Sequence, residues 1–81
     1  MQKSLNQLTP GETGTVVRVG GDGLLKRRLF DMGITPGTGI TLKKTAPLGD
    51  PIEVEIRGYE LSVRKSEAEI VVMNVEGGSS L

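Results

Sequence analysis

With 81 residues, ten basic and ten acidic side chains, no Cys and no His, the chain is one small domain of zero net charge. Lacking thiols and imidazoles, it has no disulfides, no thiolate or imidazole metal site and no Cys- or His-based catalysis, so any metal must sit on oxygen. Leu, Ile, Val and Phe supply 23 residues, enough for one core, while 12 Gly and 4 Pro favour short strands joined by tight turns.

Met1-Gln2-Lys3-Ser4 leads into no apolar run that would direct export, and Ile70 to Met73 is far shorter than the ~20 residues that span a bilayer. The chain therefore reads as cytoplasmic, with no membrane insertion. Leu5 and Leu8, followed by Thr9-Pro10-Gly11, predict a short arm closed by a Pro-Gly turn. Thr15-Val16-Val17-Arg18-Val19, β-branched between Gly14 and Gly20, predicts the first strand. Leu25, Leu29 and Met32 then recur at i, i+4, i+7 on one face of a helix of about ten residues. Asp22 is placed to cap that helix and Gly33 to end it in the left-handed conformation. Gly20-Gly21-Asp22-Gly23 makes a poor phosphate loop, because it matches neither GxxxxGK[ST] nor GxGxxG and Asp22 puts a negative charge where phosphate would sit.

Pro36-Gly37 suits a type II turn, and Ile40 and Leu42 alternate with Thr41 and Lys43 as the second strand. A loop follows over residues 45–51, which contain Pro47, Gly49 and Pro51. Ile52, Val54 and Ile56, then Tyr59, Leu61 and Val63, alternate with polar residues on either side of Arg57-Gly58. A hairpin about that pair sets Ile56 against Tyr59, Val54 against Leu61 and Ile52 against Val63, placing every apolar residue on one face. Ser66 to Glu69 reads as a short polar turn or one turn of 3₁₀ helix, and Ile70 to Val75 as a last strand, apolar on both faces and so central or covered. The predicted fold is mainly β: a small barrel of about five strands with one short α-helix after the first strand, spanning residues 1–76. Closing the sheet would remove its exposed edges. Residues 77–81 form a flexible tail.

Lys26-Arg27-Arg28 lies on the helix, and with Leu25 and Leu29 inward, Lys26 and Arg27 point outward. They form either a solvated face, with Arg27 or Arg28 pairing Asp31, or a docking site for an acidic protein surface. Nucleic acid is disfavoured by zero net charge and by the absence of aromatic residues among the cations. Leu48, between Pro47 and Gly49, has no periodic partner and is either an ordinary exposed Leu or a partner contact. Glu55 and Glu60 oppose each other in the predicted register, which costs ~0.2–1 kcal/mol. That invites a cation, with Glu53 as a further oxygen donor, unless Arg57 or Arg64 relieves the charge. No other cofactor is expected. The carboxylates, lysines and Tyr59 form no recognisable catalytic pair, so the protein is expected not to be an enzyme. The sequence leaves a homo-oligomer open.

The run Leu24-Leu25-Lys26-Arg27-Arg28-Leu29-Phe30-Asp31-Met32-Gly33-Ile34-Thr35-Pro36-Gly37-Thr38 resembles the helix-and-turn signature of the FeoA family, small accessory proteins of bacterial ferrous-iron transport. Ala46-Pro47-Leu48-Gly49-Asp50-Pro51 and Ile56-Arg57-Gly58-Tyr59-Glu60-Leu61-Ser62-Val63-Arg64 resemble its second and third signatures. Leu8-Thr9-Pro10-Gly11-Glu12 with Thr15-Val16-Val17 is similar to its opening. The resemblance implies an SH3-like barrel like that of the C-terminal domain of iron-dependent repressors. It also implies a cytoplasmic regulator that binds the cytoplasmic domain of the GTPase-bearing ferrous-iron permease. The outward helix cations Lys26 and Arg27 and the loop-tip Leu48 are the candidate contacts, an apolar anchor with a charged rim. The alternative is a metal-responsive module holding a divalent transition metal through carboxylates. With oxygen ligands alone, Fe²⁺ affinity is expected to be no tighter than about micromolar.

Overall fold

Each stretch of alternating apolar and polar residues forms a strand, because one pleated face can then be buried while the other stays wet. A computed structural model describes residues 1–75. The strands are β1 (Gln2–Ser4), β2 (Thr13–Val19), β3 (Gly39–Thr45), β4 (Ile52–Ile56), β5 (Tyr59–Val63) and β6 (Val71–Asn74). A 3₁₀ turn, Leu5–Gln7, follows β1; helix α1 (Gly23–Asp31) follows β2; and a single turn of helix, α2 (Lys65–Ala68), follows β5. All pairings are antiparallel, in the order β1-β6-β2-β3-β4-β5.

The β4–β5 register is the one the sequence predicts, with Ile56 against Tyr59, Val54 against Leu61 and Ile52 against Val63. Its two-residue turn has Arg57 at φ +52° and Gly58 at φ +87°, the left-handed pair that lets a tight hairpin keep its twist. β6 lies between β1 and β2, as its apolar run requires. Leu5, Leu29, Ile34, Ile40, Leu42, Ile52, Val54, Ile56, Val63, Val71 and Met73 fill the core. Each such aliphatic side chain contributes ~1.5–3 kcal/mol by leaving water. Leu25 and Met32 lean half-buried against this core beside Leu29, so α1 covers it with the predicted face.

The structure departs from the sequence reading at five places. The N-terminal arm is a strand: Gln2, Lys3 and Ser4 pair with Asn74, Met73 and Val72. The helix therefore follows the second strand, not the first. Three residues carry no periodic signal of their own, and it is the free side of β6 that recruits their backbone. Among the described residues the hydrogen-bonded sheet is not closed, since β1 and β5 each have one unpaired side; α2 packs on the 3₁₀ turn Leu5–Gln7. β2 and β3 each carry a register shift, between Val16 and Arg18 and between Leu42 and Lys44. One extra residue turns two successive side chains outward, which exposes Val17 with Arg18 and Lys43 with Lys44. The apolar face of the hairpin fades along β5, where Leu61 is half-buried and Tyr59 exposed. The turn read as polar is the helix α2, and its Glu67 and Ala68 are buried. The tail expected at 77–81 lies outside the described residues.

Candidate interaction surface

Helix α1 starts where Asp22 Oδ1 accepts the Leu25 N–H at 2.9 Å, satisfying one of the free first-turn amides. Lys26 and Arg27 on the following turn are exposed, as the apolar spacing predicts. Lys26 Nζ stands 5.9 Å from the Phe30 ring centroid. Arg28 does not pair with Asp31: its Nε lies 3.6 Å from Glu67 Oε2 on α2. Glu67 Oε1 accepts the Arg64 N–H at 3.1 Å, so one buried carboxylate ties α1, α2 and the end of β5 together. At the other end of α1, Gly33 has φ +94° and Tyr59 Oη donates to the Met32 carbonyl at 3.1 Å. A groove of about 410 Å³ beside the helix start is lined by Asp22, Leu24, Leu25 and Arg28, and Leu24 there is 81% exposed.

Leu48 occupies the tip of the loop between β3 and β4 and is 94% exposed. The loop is held from within by the Gly49 N–H on Ala46 O at 2.7 Å and the Ala46 N–H on Pro51 O at 3.0 Å. From outside it is held by the Lys65 N–H on Asp50 Oδ1 at 2.9 Å, so the tip stands on a fixed base. A second groove, about 290 Å³, runs along Lys44, Thr45, Ala46, Pro47, Pro51 and Glu53. The segment after α1 enters the start of β3 and the Leu48 loop leaves its end. The two grooves share no lining residue, and neither is lined by Lys26, Arg27 or Leu48.

Glu55 and Glu60 are opposite each other, as the register requires. The cation that pairs with Glu55 is neither Arg57 nor Arg64, and Glu60 has no ion-pair partner among the described residues. Lys43 Nζ lies 3.3 Å from Glu55 Oε1, and Lys44 Nζ lies 3.8 Å from Glu53 Oε1. The shift in β3 is the cause, since it turns both lysines toward the carboxylates of β4. Among the described residues, no three Asp or Glu side chains gather where a metal ion could be held. Oxygen donors shared with ammonium groups fit poorly with a transition metal that prefers nitrogen or sulfur.

Leu24, Phe30 and Glu67 were not singled out by the sequence. Leu24 could have been, because it falls off the i, i+4, i+7 face; nothing in the pattern marks Glu67 as buried.

Residues 3–74 match the family model of the FeoA domain. The chain belongs to the FeoA domain family. It is 38% identical over 64 residues to the Fe(2+) transport protein A/Fe(2+) transporter FeoB fusion protein of Porphyromonas gingivalis, a match that covers 79% of this chain and 8% of that protein. That relative is thus many times longer, and the FeoA region is a small part of it. The FeoA-like protein of Clostridium acetobutylicum has a structure that superimposes with a TM-score of 0.85 at 38% identity, over 91% of this chain and 86% of its own. The zinc complex of FeoA from Stenotrophomonas maltophilia, described as a procaryotic SH3 domain protein, aligns with a TM-score of 0.75 at 25% identity over 88% of each chain. The mainly β, SH3-like architecture is therefore that of the FeoA family, and the P. gingivalis fusion links the family to ferrous iron transport.

Proposed function

We propose that this FeoA-family chain is a non-enzymatic accessory protein of ferrous iron transport that docks on the cytoplasmic part of a FeoB permease. The observation that carries the reading is the P. gingivalis protein, in which an FeoA region and an Fe(2+) transporter share one polypeptide. Such a tether holds two modules at an effective concentration on the order of mM. Whether tethered or not, an FeoA domain that acts on the transporter needs a surface that docks on it. Lys26 and Arg27 supply charge that speeds encounter, and Leu48 supplies an apolar anchor on a braced loop.

The test is titration of the chain onto full-length FeoB in nanodiscs. Wild type is expected to bind. Lys26→Glu/Arg27→Glu and, separately, Leu48→Ala are each expected to weaken binding about fivefold or more, with circular dichroism and Tm unchanged. Absence of wild-type binding overturns the reading. Wild-type affinity in both variants removes these residues from it.

A further inference from the structure

The chain has one Phe and one Tyr, and neither is in the core. Phe30 is 37% and Tyr59 47% exposed, although aromatic rings carry the largest apolar areas a small core can draw on. Both stand at the C-terminal end of α1. Phe30 lies one residue before the end of the helix, under the Lys26 ammonium, and Tyr59 is held there by its hydroxyl on the Met32 carbonyl. The same corner carries Arg57, one turn residue of the β4–β5 hairpin. Arg57 is the one non-glycine residue with positive φ among the described residues. A tight two-residue turn prefers Asn, Asp or Gly at that position, because these tolerate the left-handed region. A bulky Arg is there at a conformational cost that the turn itself does not demand. It is exposed, and it has no ion-pair partner among the described residues.

We infer that Arg57, Tyr59, Phe30 and Lys26 form a preorganised docking corner for an acidic protein surface with an apolar centre, presented by FeoB. This inference rests on the permease reading above and adds Arg57, Tyr59 and Phe30 to the contacts proposed there, with Lys26 common to both. Arg and aromatic residues are the side chains that dominate interface energetics. Lys26, Arg27 and Arg57 have no carboxylate within ion-pair distance among the described residues, so they offer unpaired cations although the chain is neutral; Asp31 follows Phe30 and Glu60 follows Tyr59 in sequence. The Tyr59–Met32 bond fixes the hairpin to the helix, which lowers the ordering cost of binding. Backbone strain kept at a solvent-facing side chain is accounted for if that side chain acts on a partner.

The decisive substitution is Arg57→Asn, because Asn suits the turn better than Arg. Its Tm should equal or exceed that of wild type, while its affinity for full-length FeoB in nanodiscs should fall at least about tenfold. Phe30→Ala, checked for fold by circular dichroism, should lower affinity by a similar factor. Added salt should weaken wild-type binding more than Arg57→Asn binding. If wild type binds and either variant retains wild-type affinity, the docking corner is wrong and the permease reading stands. If wild type itself does not bind, the permease reading falls and takes the corner with it.

Discussion

The β3–β5 sheet and the α1 side of the barrel handle their charges in opposite ways. On the sheet, Lys43 and Lys44 reach across to Glu55 and Glu53, so both lysines are answered within the fold. Each such exposed pair contributes only ~0.2–1 kcal/mol, but together they leave neither lysine of β3 uncompensated for a partner. On α1, Lys26 and Arg27 have no carboxylate within ion-pair distance among the described residues, and Leu24 beside them is exposed. The difference separates a face completed by the fold from one that a second molecule could complete.

The largest expected effect contrasts two apolar side chains. Ile56→Ala removes a fully buried side chain beneath the hairpin and should cost about 2–5 kcal/mol in urea unfolding. Leu48→Ala should shift the same midpoint by no more than about 0.5 kcal/mol. A large loss for Leu48→Ala would put the loop tip in the same class as the core and break the comparison. Next in size is Gly33→Ala. A Cβ at that position would stand 2.8 Å from Tyr59 Oη on a backbone at φ +94°. Destabilisation of about 1–3 kcal/mol is expected, seen as a lower thermal midpoint.

The smallest effect concerns Glu12. The Thr9 backbone N–H, at 2.9 Å, and then the Lys3 ammonium, at 3.1 Å, hold its carboxyl below the ordinary value of 4.5. A carboxyl depressed in the folded state adds stability that is complete above its unfolded pKa and is lost as pH falls through the lower folded value. Unfolding followed from pH 7 to pH 2 should therefore show a shallower acid limb in Glu12→Gln than in wild type. An identical limb would remove Glu12 from the set of charges satisfied within the fold.

The sequence carries the hairpin register and the inward face of α1 because both depend on periodicity. Shifting β4 against β5 by one residue would turn Ile52, Val54 and Ile56 to solvent, so only one pairing is tolerable. The Asp22 cap and the Gly33 terminus are equally local. What the sequence did not carry depends on distant partners. β1 exists because β6 offers it a free side, and the register shifts in β2 and β3 arise from fitting the strands together. The Lys43–Glu55 pair follows from one of those shifts, so Arg57 and Arg64 were the nearer candidates in sequence but not in space. The candidate surface was partly visible. Lys26, Arg27 and Leu48 are exposed as expected, whereas the exposure of Phe30 and Tyr59 runs against their apolar character and appears only in three dimensions.

The pairing of β1 with β6 also determines how the domain is attached to other polypeptide. The Val75 N–H donates to the Met1 carbonyl at 2.7 Å, and the Met1 amino group lies 3.3 Å from the Val75 carbonyl oxygen. Polypeptide joined before Met1 or after Val75 therefore leaves the barrel from a single pivot. Entry and exit side by side are what allow a small domain to be inserted into, or appended to, a longer polypeptide without either connection crossing its sheet.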